Sequence, residues 1–207
     1  MSGPVLIIDY GMGNIGSLRN MFKRIGAETQ VASDVSSIER ADKLLLPGVG
    51  AFDAAMRRIG ELGIGEAIRA KAQAGTPMLG ICLGMQLLLD GSEEGALPGL
   101  GLIPGHARRF PASAELKVPH MGWNVVHRTR PSPLTDWMRD EDETRFYFVH
   151  SYAVETADAA DSILRCTYGI QFDAAINRGQ VFGAQFHPEK SHRFGMALLG
   201  AFASLPC

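Results

Sequence analysis

The chain has 207 residues, 46% hydrophobic and 20% charged, a balance that can bury a sizeable core and excludes a disordered or fibrous protein. With 20 Lys and Arg against 22 Asp and Glu the net charge is -2, so no overall field draws the protein to nucleic acid or an anionic membrane. No stretch approaches the roughly 18 apolar residues of a spanning helix, and Asp9 interrupts the N-terminal apolar run, so one cytoplasmic domain over residues 1–207 is expected.

In chain order, Val5 to Ile8 reads as a buried strand, and Ile15, Leu18, Phe22 and Ile25 follow at helical spacing. Leu44 to Leu46 is a second strand closed by Pro47-Gly48, and Phe52 to Ile59 and Ile64 to Ala74 read as helices. Pro77 to Ile81 is a third strand, after which Met85 to Leu89 is helical up to Gly91. Such alternation predicts an α/β three-layer sandwich, its central, mostly parallel sheet having helices on both faces and ligands outside the carboxyl ends of the strands.

After Leu102 strand signals dominate: Trp123 to Val126, Phe146 to Val149, Ile163 to Tyr168, and a hairpin around Asn177-Arg178-Gly179-Gln180. Antiparallel strands added to the sheet are therefore expected in the second half. Pro131, Pro133 and the run Asp140-Glu141-Asp142-Glu143 mark an exposed loop, and Phe194 to Leu205 is the last amphipathic helix.

Three cysteines without a C-x-x-C pair suit neither a disulfide framework nor a zinc site, which implies a reducing compartment. Cys166 sits in an apolar run and Cys207 is the last residue, so neither suggests a role. Cys82 lies within Gly80-Ile81-Cys82-Leu83-Gly84, the form of a nucleophile elbow, whose strained strand-to-helix turn needs small neighbours. There the sulfur stands at a helix N-terminus, which favours an anion, and the Leu83 amide is placed to donate to an oxyanion.

A base and an acid follow at the end of the strand read over Val181-Phe182-Gly183-Ala184-Gln185-Phe186-His187-Pro188-Glu189. In an extended chain held by Pro188, residues two apart project to the same side, so Glu189 would steady one nitrogen of His187 while the other faces the sulfur. Pro47-Gly48-Val49-Gly50 adds a glycine-rich turn after a strand, with the Gly50 or Val49 N–H as a further oxyanion donor. A competing reading takes Gly11-Met12-Gly13-Asn14-Ile15-Gly16, with Asp34 as the ribose-binding acid, as the fingerprint of a dinucleotide-binding oxidoreductase. Tyr10 is bulky for that turn, and such an enzyme has no use for Cys82, His187 and Glu189. A non-catalytic scaffold is a third reading, opposed by the intact set of three.

Over nearly its whole length the chain resembles the class I, triad-type glutamine amidotransferases, on Gly80 to Gly84 and His187-Pro188-Glu189. Asp9-Tyr10-Gly11-Met12-Gly13-Asn14, Pro47 to Phe52, Pro119-His120-Met121-Gly122-Trp123-Asn124 and His187-Pro188-Glu189-Lys190-Ser191 narrow the likeness to members serving histidine biosynthesis, with other amidotransferase pathways as the alternative. The resemblance implies hydrolysis of glutamine to glutamate and ammonia through a thioester on Cys82. His187 would act as base then acid, Glu189 as its orienter, and Gly50 and Leu83 as oxyanion donors. Gln86, Glu94, Ser151 and Tyr152 would hold glutamine. It further implies a heterodimer with a separate (β/α)8-barrel cyclase that receives the ammonia, with Asn14, Met121, Trp123, Tyr147 and Lys190 at the boundary, and no metal or organic cofactor.

Overall fold

In this computed structural model, residues 3–111, 116–139 and 143–206 are described. Cys207 and most of the acidic run, Asp140 to Asp142, lie outside them. The first half comprises β1 (Val5–Ile8), α1 (Ile15–Arg24), β2 (Thr29–Ala32), α2 (Val35–Arg40), β3 (Lys43–Gly48), α3 (Phe52–Glu61), α4 (Gly65–Gln73), β4 (Met78–Cys82) and α5 (Leu83–Leu87). The second half holds β5 (Gly91–Ser92), β6 (Gly105–Arg109), β7 (His120–Arg128), β8 (Arg145–His150), β9 (Tyr152–Thr156), β10 (Ser162–Tyr168), β11 (Ile170–Arg178), β12 (Val181–Ala184) and α6 (His192–Ala203).

Nine strands form one sheet in the order β2-β1-β3-β4-β12-β11-β10-β7-β8. From β2 to β12 every neighbour is parallel, as the strand–helix alternation requires; from β12 to β8 every neighbour is antiparallel. The hairpin read at Asn177 to Gln180 joins β11 to β12, with Arg178 opposite Val181 and Gly179 at φ 57° in its two-residue loop. A separate three-stranded sheet, β5-β6-β9, has no counterpart among the sequence expectations.

Side-chain alternation along the strands splits the core in two. Val5, Ile7, Leu45, Leu79 and Ile81 pack with Leu18 and Phe22 of α1 and Leu198 and Phe202 of α6. Leu6, Ile8, Leu44, Leu46 and Met78 pack on the other face with Ile38 of α2, Phe52 and Ile59 of α3, Ile68 of α4 and Leu87 of α5. Both faces of the parallel half are thus covered, which explains why its strands read as unbroken apolar runs.

Because β12 runs parallel to β4, with Ala184 opposite Ile81, both chains leave the sheet at the same edge. Gly48, the last residue of β3, is the register partner of Cys82. Three strand ends therefore meet at one place, at the carboxyl edge of a parallel sheet.

Candidate active site

Cys82 ends β4 with φ 54° and ψ -112°, a positive-φ conformation that a side chain adopts only when its surroundings impose it. Here the turn is enforced by contact. A β-carbon on Gly84 would collide with the carbonyl oxygen of Leu46, and one on Gly80 would stand 2.6 Å from the Gly84 oxygen. The glycines flanking the elbow are needed because α5 lies directly on β3 and β4.

His187 lines the same cleft as Cys82, and its Nδ1 lies 2.9 Å from Glu189 Oε1. The Glu189 side chain is only 2% exposed. Residues Pro188–Lys190 form a single 3-10 turn rather than the extended stretch expected from spacing, and Pro188 starts that turn. Glu189 reaches Nδ1 because the turn folds it back on His187. Ser191, fully buried, clasps the turn: its hydroxyl donates to the His187 carbonyl at 2.7 Å and accepts from the Tyr147 N–H at 3.0 Å. Burial works against the charged imidazole, but the bonds to Cys82 and Glu189 outweigh it and lift His187 from 6.5 to about 9. That shift favours the charged form of the ring at neutral pH.

Sequence reasoning missed Gln185, a fully buried side chain just past the end of β12. Its Nε2 donates toward Cys82 Sγ at 3.9 Å, and its Oε1 accepts from Gln86 Nε2 at 3.0 Å, which fixes the amide with its N–H on the sulfur. No titratable group marks it, so only the adjacency of β12 and β4 reveals it. Tyr10 is the second unpredicted neighbour: it is buried, donates to the Pro47 carbonyl at 2.7 Å, and has its ionisation pushed up by burial and by the nearby Cys82. It supports the glycine turn from below.

A cleft of about 350 Å³ opens at the sulfur, bounded by Val49, Gly50, Leu83, Gln86, Glu94, Ser151, Tyr152 and His187. Every residue expected to hold substrate or an oxyanion therefore borders one space. Gly50 stands at φ 108°, a conformation suited to glycine. Glu94 accepts from the Phe52 N–H at 2.9 Å, the first amide of α3, and Asp53 answers by accepting from Ala96 and Leu97 at 3.0 Å. These reciprocal bonds lock the Glu94 loop to the segment after Gly50.

Of the residues expected at a subunit boundary, Met121 and Trp123 are exposed at 62% and 44%, and Trp123 pairs with Tyr147 across β7 and β8. Lys190 Nζ lies 5.6 Å over the Tyr147 ring, and His192 stacks on Trp123. Asn14 is exposed at the N-terminal end of α1. The dinucleotide reading fails locally: the Asp34 carboxylate is spent on the first turn of α2, accepting from Ser37 N–H at 2.9 Å and from the Ser36 hydroxyl at 2.7 Å.

The family model for "Glutamine amidotransferase class-I" matches residues 6–203. The chain belongs to this family. Among curated amidotransferases of this kind it is similar to "Imidazole glycerol phosphate synthase subunit HisH 2" of Methanococcus maripaludis, 46% identical over 96% of this chain and 98% of that one. The protein of the same name from Pseudomonas aeruginosa is 46% identical over 97% and 99%. Among solved structures the fold matches that of PurLQS from Thermotoga maritima, with TM-score 0.75 and 19% identity over 98% of both chains. This amidotransferase has no helix, among the described residues, long and apolar enough to cross a membrane.

Proposed function

We propose that residues 1–207 act as one glutaminase domain, the amidotransferase subunit of imidazole glycerol phosphate synthase in histidine biosynthesis, working in the cytoplasm. The identity to relatives of that name supports the pathway. The observation that carries the chemistry is the grouping of Cys82, on its positive-φ elbow, with His187 in one cleft, where His187 Nδ1 lies 2.9 Å from the buried Glu189 carboxylate. A carboxylate-oriented imidazole beside a cysteine stabilises the thiolate when protonated and is also the acid that a leaving amine requires.

The Cys82 sulfur attacks the side-chain carbonyl of glutamine lying in the cleft. The Leu83 and Gly50 amides receive the oxyanion, and His187 gives its proton to the departing ammonia. Water, deprotonated by the now neutral ring, then releases glutamate from the thioester. Gln86, Glu94, Ser151 and Tyr152 hold the amino-acid end of the substrate.

Ammonia freed into water near neutral pH is protonated and ceases to be a nucleophile, so a sealed passage to the second active site serves the overall reaction. The partner is a separate (β/α)8-barrel cyclase, seated on the face bearing Met121, Trp123, Tyr147 and Lys190, with Asn14 at the rim. An exposed, aromatic-rich patch suits such a contact. The test is Cys82→Ala in the complex: glutamine-dependent synthesis is lost while synthesis from ammonium salt continues. Equal loss of both activities would overturn this division of labour.

A further inference from the structure

Beside the cleft, a run of hydrogen bonds connects two buried imidazoles that the chemistry above does not use. His120 starts β7 and His150 ends β8, and the register of that pair sets them opposite one another. They are 2% and 5% exposed. His120 is sandwiched between Phe148 and Tyr168, with ring centroids at 4.8 and 4.1 Å, while Phe110 and Phe172 turn against both rings.

His150 Nδ1 lies 2.8 Å from the Tyr152 carbonyl, His120 Nδ1 lies 2.9 Å from His150 Nε2, and Asn124 Nδ2 lies 3.3 Å from His120 Nε2. The protons on this run are dictated from its ends. A carbonyl only accepts, so His150 Nδ1 carries hydrogen; in a neutral ring its Nε2 is then bare, and His120 Nδ1 must donate to it. That leaves His120 Nε2 as an acceptor. The Asn124 amide is oriented to donate there because its Oδ1 accepts from the Val125 N–H at 2.8 Å and its Nδ2 also donates to the Thr167 carbonyl at 3.0 Å. All donors point the same way, toward Tyr152.

Desolvation keeps both rings neutral, pushing His120 down to about 4 and His150 to about 3, with the charge on His187 acting in the same direction on His150. The run ends where rigidity matters. Ser151 is the single residue between β8 of the large sheet and β9 of the small one, and Ser151 and Tyr152 wall the cleft. The Tyr152 carbonyl also lies 3.5 Å from Gln86 Nε2.

We propose that Asn124, His120 and His150 are positioning residues for glutamine, a one-directional run of hydrogen bonds that pins the Tyr152 carbonyl and with it the Ser151–Tyr152 wall. This rests on the reading of the cleft as the glutamine site. Long-range proton–nitrogen correlation spectra of the nitrogen-15-labelled protein at neutral pH are expected to show both rings as Nδ1–H tautomers. An Nε2–H signature on either ring overturns the proposal, and this measurement needs no variant to fold. In the complex with the cyclase, His120→Phe keeps a stacked ring but removes the donor: glutamine KM rises about fivefold, the effect of one lost hydrogen bond, while the rate of Cys82 alkylation by iodoacetamide is unchanged. His120→Asn, which sets an amide N–H near the Nδ1 position, brings KM back to within about twofold of the unsubstituted protein. An unchanged KM in the Phe variant, or an Asn variant as impaired as it, overturns the proposal. A protein that releases no glutamate at all would instead refute the reading of the cleft, and the tautomer spectra would still decide the hydrogen-bond run.

Discussion

Glu189→Gln removes one charge from the site and almost no volume, so its consequences follow from the geometry. The rise of His187 from 6.5 to about 9 corresponds to roughly 3 kcal/mol in favour of the imidazolium. Burial opposes that rise, and the bond to Cys82 and then the bond to Glu189 produce it. Without the carboxylate, burial persists with only one compensating partner, and the ring loses its proton at a lower pH. A second penalty comes from Glu189 Oε2, which is buried without a hydrogen-bond partner. An amide in place of the carboxylate must put its NH2 either there, at a cost of about 1–3 kcal/mol, or against His187 Nδ1. The latter forces the ring hydrogen onto Nε2, toward the sulfur, and spoils the neutral ring as a base for water. Glutamate release at pH 7 is therefore expected to fall by about ten- to a hundredfold in kcat, with a smaller change in KM.

The same group predicts a pH dependence of stability. The folded state holds the His187 proton more tightly than the unfolded chain does, so this contribution is fully present below 6.5 and is lost as pH rises through about 9. Urea midpoints at pH 6 and pH 10 should converge for the two proteins as pH rises, with the unsubstituted protein the more stable at pH 6. A Glu189→Gln enzyme within about threefold of normal turnover, with parallel pH curves, would refute the reasoning.

Gly84→Ala forces a β-carbon into the Leu46 carbonyl and should destabilise the fold by more than about 3 kcal/mol in denaturant titration. Gly60→Ala in α3 meets no atom within 4 Å and should be neutral or gain up to about 1 kcal/mol; similar losses in both would show that the elbow contact is not the cause. Asp53→Ala releases the Ala96 and Leu97 amides and so loosens the loop that carries Glu94. Glutamine KM is expected to rise several-fold with kcat nearly constant, and an unchanged KM would show that the clasp does not hold the substrate wall.

The parallel half of the fold is legible because strands covered on both faces are written as continuous apolar runs: Val5 to Ile8 and Leu44 to Leu46 leave little else to be. β2 escapes for the opposite reason. It is an edge strand, Thr29–Ala32, partly exposed along its length, and its composition carries no apolar signal. β6 carries alternating exposed charge on small buried residues, and β9 follows β8 after one residue, so the small sheet exists only through pairings that no local pattern announces. Spacing identifies the acid of the site but not its geometry. Pro188 is as compatible with the first position of a 3-10 turn as with an extended chain, and the clasp by Ser191 decides between them.

What stays hidden follows one rule. Cys82, His187 and Glu189 are visible because their side chains carry chemistry in a short motif. Gln185 and the His120–His150 pair act through register instead. Gln185 meets the sulfur only because β12 returns parallel to β4 after a long excursion through the antiparallel strands. His120 meets His150 only because β7 and β8 pair with those two residues opposed. A one-residue slip in either pairing would turn the amide or the imidazole to the other face of the sheet and leave the motifs intact. On the proposed reading, the specificity of this site depends on strand register as much as on its three reactive side chains, and buried polar residues on or just beyond paired strands are where further determinants of glutamine binding are to be sought.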